Sequence, residues 1–277
     1  MTSSAASSSL PQAILAFDIG GTHVSAALVE LPSWLVVSDS ERRRDLDAHG
    51  SADAILDAIA ACGHAVLTQA LGRFDVSKVS GCAMPGPFDY DNGIGHFEGV
   101  NKFESLNGCD VRTGLLDRLA AHLDGITFLN DADSFLLGEW VSGAVVGADR
   151  VAGITLGTGI GSAFMADGKL VGSGPDVPPF GEVHLLSIKG VPLEDVVSRK
   201  AVRVLYTQVS GTSELIDVQR ICDLARAGDP AADQAVREPY SQLGAALVEW
   251  LIRFGASALV VGGSISKSWY LVGAALS

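Results

Sequence analysis

Four short stretches of the chain place residues that can handle a phosphate or a proton directly after apolar runs. In Phe17-Asp18-Ile19-Gly20-Gly21-Thr22-His23, an acid, two glycines and a threonine follow the apolar segment Ala13–Phe17. Glycine permits a tight turn and lets backbone N–H groups approach a ligand without a Cβ in the way. Threonine adds a hydroxyl, and the carboxylate can hold a cation. The set suits a metal-complexed phosphate, although a plain Gly-Gly hairpin between apolar runs would use the same residues. Gly157-Thr158-Gly159-Ile160-Gly161 repeats the arrangement after Val151–Leu156, and Gly262-Gly263-Ser264 follows Ala258–Val261. The fourth stretch, Asn130-Asp131, ends the apolar run Ile126–Leu129. A carboxylate at a helix start is kept ionised by the helix dipole and can accept a proton. The same residue would serve equally as an N-cap.

Three glycine turns, each after an apolar strand, make coincidental hairpins a poor account of all of them. Two phosphate loops and a third glycine pair point to a nucleotide held in a cleft between two domains. Neither loop is a Walker A, because no Gly-Lys-Ser/Thr follows at the required spacing. A dinucleotide fingerprint at Gly157–Gly161 should open a helix, whereas an alternating strand and an Asp167-Gly168 turn follow.

The elements that must position these residues can be read from periodicity. Ala13–Phe17 and Val24–Val29 form a hairpin around the first glycine turn, and Val151–Leu156 and Ser162–Ala166 form one around the second. The likeness of "AFDIGGTHVSAALV" to "GITLGTGIGSAFMA" indicates two related halves. Ser51 caps a helix with Ile55, Ile59, Cys62 and Val66 on one face. Val79–Met84 is a strand running into Pro85-Gly86-Pro87, and Asp110 caps a helix carrying Leu115, Leu116, Leu119 and Leu123. A further helix starts at Asn130-Asp131 with Phe135, Leu136, Trp140 and Val141 in its apolar stripe. Long helical patterns fill Leu193–Val209 and Val218–Phe254, the latter broken near Gly228-Asp229-Pro230, before a last strand at Ala258–Val261.

Composition bounds the partners. The chain has 277 residues, is 48% hydrophobic and contains 32 glycines, which fits a compact, turn-rich α/β protein with a sizeable core. A formal net charge of −13 repels polyanions, so neither nucleic acid nor an anionic membrane is an expected partner. Cys62, Cys82, Cys109 and Cys222 are too far apart for a C-x-x-C pair and read as buried free thiols of a reducing compartment. The leader "MTSSAASSSLPQ" reads as a flexible tail, and no apolar run is long enough to span a membrane. A cytoplasmic location is expected.

The ordered set "DIGGTH", "MPGP", "LNDADSFLLGE", "TLGTGIGSAF", "FGEVH", "LEDVVSRKA" and "VVGGSIS", from about Ala13 to Lys267, resembles the ROK sugar kinases of the actin-like ATPase and hexokinase superfamily. The resemblance implies an α/β fold class, with two ribonuclease-H-like domains and a cleft between them. Its division would be a tail over 1–12, a small domain over 13–129 and a larger one over 130–277, whose terminal segment could pack back on the first domain. It implies phosphoryl transfer from ATP or polyphosphate to the 6-hydroxyl of a hexose, with glucose the leading acceptor and Mg2+ as cofactor. A homodimer is implied as well. Asp18 would lie near the metal and the transferring phosphate, with Gly20, Gly21 and Thr22 as the first phosphate loop. Gly157, Thr158 and Gly159 match the second loop, and Gly262 and Gly263 the adenosine-contacting pair. Asn130 and Asp131 match the pair that holds the sugar and deprotonates its 6-hydroxyl, with Asp131 the catalytic base. Glu182, His184 and Glu194 fall where other sugar hydroxyls are bound, and Gly86 and Asn101 lie in segments lining that site.

The sequence also departs from the family. Many members carry a C-x-C-G-x-x-G-C zinc motif where this chain has "LLSIKGVPL", so no zinc site is expected. The usual Glu-x-Gly-His is one residue shorter, "EVH", which leaves His184 open between a sugar ligand and an ordinary buried histidine. The sequence ends soon after "GGSIS", so either the adenine side is trimmed or "YLVGAALS" supplies a shortened closing helix. Zinc-less, polyphosphate-using relatives share "TLGTGIGSAF" and "DGKLV", whereas "LEDVVSRKA" looks like the ATP-using branch. A non-catalytic sugar sensor is the alternative reading. About a dozen residues precede the first strand, so the helix-turn-helix of ROK repressors is not expected. A phosphatase or acetate-kinase-like activity is a weaker alternative.

Overall fold

The computed structural model describes residues 10–157 and 159–276. The chain divides into two compact units, between Ser134 and Phe135.

In the first unit, strands β1 (Gln12–Ile19), β2 (His23–Glu30) and β3 (Arg42–Asp45) run antiparallel to their neighbours. Strands β4 (Val79–Met84) and β5 (Gly125–Asn130) then add in parallel, giving the order β3-β2-β1-β4-β5, with the short strand Asp75–Val76 also pairing β1. Alternation along β1 buries Ala13, Leu15, Phe17 and Ile19 and leaves Asp18 on the opposite, exposed face. Helix α1 (Ala52–Ala70) covers the buried face. The Ser51 hydroxyl accepts from the Ala54 amide at its start, and Ile55, Ile59, Cys62 and Val66 are buried. Gly63 lets α1 approach β1, since a Cβ there would come within 2.7 Å of the Phe17 ring. Helix α2 (Val111–Leu119) is capped by Asp110 but stops before Leu123, which is buried beyond the helix end.

Helix α3 (Asp131–Ser142) leads the chain into the second unit. There, β6 (Arg150–Leu156) and β7 (Ile160–Ala166) form an antiparallel pair around a glycine turn, as β1 and β2 do. Strand β8 (Ala258–Gly262) adds parallel to β6, and Lys169–Leu170 pairs with β7 at the other edge. The expected Asp167-Gly168 turn has φ of 51° and 74°, and Trp140 of α3 packs where a Gly168 Cβ would sit.

The remaining helices are α4 (Leu193–Val197), α5 (Arg199–Ser210), α6 (Val218–Arg226), α7 (Pro230–Phe254) and α8 (Trp269–Leu276). The continuous helix expected over Leu193–Val209 is broken at Ser198. That residue is extended, and its hydroxyl accepts from the Ala201 amide to cap α5. The break before α7 falls as the sequence indicated, with Asp229 as cap and Pro230 at the first helical position. Helix α8 packs along α7, with Leu271 and Val272 in the second unit's core and Gly244 making room for the Leu276 backbone.

Three of the cysteines are buried thiols as expected. Cys109 is only half-buried, and its Sγ lies 3.4 Å from the Ser105 carbonyl. Among the described residues, no helix is long and apolar enough to cross a membrane.

Candidate active site

The candidate residues of the first unit gather at the carboxyl ends of the parallel strands β1, β4 and β5, the end at which open α/β sheets bind ligands. Asp18 pairs with Ala83 of β4, and Met84 pairs with Asn130, the last residue of β5. Gly20 donates its amide to the His23 carbonyl at 2.9 Å, closing the first turn. A Cβ at Gly21 would meet nothing within 4 Å, and one at Gly20 only His23, from 3.4 Å. Packing therefore does not require glycine at Gly21, which is exposed with open space beside it. Thr22 is exposed, with its hydroxyl 3.2 Å from His23 Nδ1.

The Asp18 carboxyl keeps access to solvent, yet the atoms crowded around it raise its pKa above the ordinary 3.8, loss of hydration being the largest cause. The charges of His23 and Arg43 oppose the shift, and that of Asp131 adds to it. The last effect places the two carboxylates within electrostatic reach of one another.

Asn130 and Asp131 stand at the start of α3. Both the Asn130 Oδ1 and the Asp131 Oδ1 accept from the Ala132 amide, each at 2.9 Å. Asn130 Nδ2 donates to the Tyr90 hydroxyl at 3.0 Å, and that hydroxyl donates to the Met84 carbonyl at 3.2 Å. Gly86 adjoins this chain of bonds, since a Cβ there would lie 3.3 Å from Tyr90 Oη and 3.9 Å from Asn130 Nδ2. The structure thus brings Gly86, Asn130 and Asp131 together, along with Tyr90, which sequence reasoning missed. Asn101 lies on an exposed loop with φ of 55°, its amide donating to the Glu104 carboxylate at 3.3 Å.

In the second unit, Gly157 and Gly159 flank the turn between β6 and β7, with the Gly157 amide donating to the Gly159 carbonyl at 3.0 Å. Thr158 lies outside the described residues. A Cβ at Gly157 would meet nothing within 4 Å, so packing does not require glycine at this position either. At Gly159 a Cβ would collide with the Glu194 carboxylate, which therefore sits directly against the glycine turn. Gly262 and Gly263 have packing reasons of their own. The Phe135 ring of α3 lies 2.5 Å from a Gly262 Cβ position, whereas Gly263 has φ of 89° and abuts the Leu156 backbone.

Glu182 and His184 are half-buried and form a 3.5 Å pair, Nε2 to Oε2. The segment carrying them is pinned by buried Ser162 of β7, whose hydroxyl donates to the Gly181 carbonyl at 2.7 Å and accepts from the Val183 amide at 2.8 Å. Nothing in the sequence flagged Ser162. In the segment "LLSIKGVPL", Ser187–Ile188 pairs with Val191–Pro192 around Lys189 and Gly190, both at positive φ, as a two-residue hairpin.

A Mg2+ ion keeps several waters and takes only one or two protein carboxylates beside the substrate phosphates. An exposed Asp18 beside an open glycine turn fits that requirement. No group of three or more His, Cys, Asp or Glu residues that could cage a metal occurs among the described residues.

A model of the ROK family matches residues 14–277. The glucokinase of Thermotoga maritima is 28% identical over 278 residues, spanning 92% of this chain and 83% of its own length. An N-acetyl-D-glucosamine kinase of Salmonella paratyphi B is 26% identical, over 91% of this chain and 84% of its own. Among solved structures, a ROK family glucokinase from Streptomyces griseus in complex with glucose and AMPPNP superposes with a TM-score of 0.74 at 26% identity, covering 95% of this chain and 87% of that one. An inorganic polyphosphate/ATP-glucomannokinase from Arthrobacter sp. strain KM gives 0.63 at 25% identity, over 94% and 87%. The fold is the two-domain actin-like ATPase fold of these kinases, with the strand order described above. The match runs from the first strand to the last residue, and the chain is a member of the ROK family.

Proposed function

We propose that the protein is a sugar kinase that transfers a phosphoryl group to the 6-hydroxyl of a hexose, with glucose the first acceptor and ATP the first donor. The observation that carries the reading is the placement of Asn130 and Asp131 at the ends of the parallel strands, beside the open Gly20-Gly21 turn and within electrostatic reach of Asp18. A sugar hydroxyl is a poor nucleophile at neutral pH, so a carboxylate must take its proton as transfer proceeds. Asp131 accepts that proton, the sugar O6 forms a bond to the terminal phosphorus, and the bond from that phosphorus to its bridging oxygen breaks to release ADP. Asn130 orients the acceptor. The Gly20 and Gly157 amides close their own turns, so the remaining backbone N–H groups of the two glycine turns, those of Gly21 and Thr22 in the first and of Gly159 in the second, hold phosphate oxygens. Mg2+, held through Asp18 and water, would neutralise charge on the donor phosphates.

Glu182, His184 and Glu194 supply further contacts to sugar hydroxyls, since carboxylates accept hydrogen bonds from a polyhydroxylated ligand. Gly262 and Gly263 border the adenosine, Gly86 and Asn101 line the sugar side, and the active form is a homodimer. Relatives that act on glucose and on N-acetyl-D-glucosamine support the sugar class. The glucomannokinase, named for both donors, supports testing polyphosphate beside ATP. One coupled assay over glucose, mannose, fructose and N-acetylated amino sugars, run with ATP and then with polyphosphate, tests the whole reading. Phosphorylation of at least one hexose at O6 is expected. Sugar binding without turnover on any donor would replace it with a sensor.

A further inference from the structure

The hydrogen bonds around Asn130 fix which end of its side chain faces which neighbour. A backbone amide can only donate, so the atom 2.9 Å from the Ala132 amide is the carbonyl oxygen Oδ1. The atom 3.0 Å from Tyr90 Oη is therefore Nδ2, and the hydroxyl accepts there. The hydroxyl in turn gives its own hydrogen to the Met84 carbonyl at 3.2 Å, on the strand that pairs with β5 at Asn130 itself. Each bond in this chain runs from a donor to an acceptor, and reversing the amide would set Nδ2 against the Ala132 N–H and Oδ1 against a hydroxyl whose hydrogen is already committed. Tyr90 is well placed to act as a stop. Arg112 Nη2 donates to its carbonyl at 3.3 Å, and its ring packs at 5.4 Å on that of Phe88, which is buried in the first unit's core.

We propose that Tyr90 is a positioning residue: its hydroxyl holds the Asn130 side-chain amide in the one orientation that presents an N–H to the acceptor sugar. The inference rests on the sugar-kinase reading above. Nδ2 carries a second hydrogen that the bond to Tyr90 does not use, and Gly86 leaves space beside both groups. The pair at the start of α3 then offers a sugar hydroxyl two complementary functions. Asn130 donates to its oxygen, and the adjacent Asp131 accepts its proton. Without the Tyr90 hydroxyl, Nδ2 loses its partner and the amide is held by the Ala132 bond alone, at one end instead of two.

The experiment is steady-state kinetics and sugar titration on Tyr90→Phe, Asn130→Ala and the double variant, at a temperature where their far-UV spectra match the parent. Tyr90→Phe should raise the sugar KM and the sugar Kd by about fivefold, the size of one neutral hydrogen bond, with kcat within about twofold and the donor KM unchanged. In the Asn130→Ala background the same change should add nothing, because the amide it orients is gone. A parental sugar KM in Tyr90→Phe, an equal effect in both backgrounds, or a rise shared by the donor KM would each overturn the assignment. A parent enzyme that neither binds nor phosphorylates any hexose would instead fail the sugar-kinase reading, and the role of Tyr90 would fall with it.

Discussion

Asn130 and Asp131 share a single donor: the Ala132 amide lies 2.9 Å from an oxygen of each. Asn130, the residue before the first helical position, already makes the bond of an N-cap, so the helix start does not depend on Asp131. Asp131 is exposed and lies within reach of the Asp18 charge, a cost that a merely structural carboxylate would not need to bear. Asn130 thus suffices for the cap, which leaves the Asp131 carboxylate available for the proton transfer proposed above.

Asp131→Asn should therefore separate binding from turnover. The amide keeps the size and the acceptor for Ala132, so the sugar Kd should stay within roughly tenfold, about 1.4 kcal/mol. The proton acceptor is lost, and kcat should fall by at least about 10²-fold, the lower end for removal of a general base. Single-turnover kinetics beside a sugar titration reads both. Near-parental turnover would return Asp131 to a plain helix-start residue.

The glycines should divide into two classes. Gly157→Val places its Cβ where nothing lies within 4 Å, so the protein should keep its melting temperature to within a few degrees while nucleotide binding is lost and sugar binding is kept. Gly20→Val should lose nucleotide in the same way. Gly262→Ala meets the Phe135 ring at 2.5 Å, and the overpacking should cost about 1–3 kcal/mol of stability. Thermal melts and calorimetry with each ligand separately check the division. Unchanged nucleotide affinity in Gly157→Val and Gly20→Val would make these turns ordinary hairpins.

What could be read from the chain in advance was whatever repeats along it. Apolar alternation marked β1, β2, β6 and β7, and the likeness of the two glycine-turn segments reappears as two sheets of the same local design. Ser51 and Asp110 were legible as caps because each precedes its own helix, and Gly228-Asp229-Pro230 was legible as the break before α7. The unread parts act across space. Tyr90 meets an Asn forty positions away, and Ser162 clamps a segment about twenty positions on, so neither has a local signature. The break at Ser198 was hidden because the apolar pattern continues through it, and only the extended backbone at that residue separates α4 from α5.

Metal dependence should follow the hairpin at Ser187–Pro192. Because those residues close on themselves through paired backbone, with Lys189 and Gly190 supplying the left-handed turn, that loop gains its order without a metal. Elemental analysis of purified protein is expected to find no stoichiometric zinc. Chelator treatment followed by added magnesium should restore full activity and leave the melting temperature unchanged. Zinc bound through His184 would contradict this.

Asp18 should trade stability for function. Partial loss of hydration raises its pKa in the folded protein, with Asp131 adding to the effect, so the folded state holds this proton more tightly than the unfolded chain does. For an acid shifted upward, the sign is a penalty. Below the ordinary value of 3.8 the group is protonated in both states and contributes nothing. As pH rises from there through the raised folded pKa the penalty grows, and above that it stays constant. Asp18→Asn removes the ionisation altogether. Its melting temperature should therefore exceed the parent's at pH 7, and the gap should close as the pH falls below the ordinary aspartate value. Phosphoryl transfer should be lost at every pH if Asp18 is the carboxylate that would hold Mg2+ through water, as proposed above. Melting curves from pH 3 to pH 8 on both proteins test this. A variant no more stable than the parent at pH 7 would mean that Asp18 pays no electrostatic cost for its position.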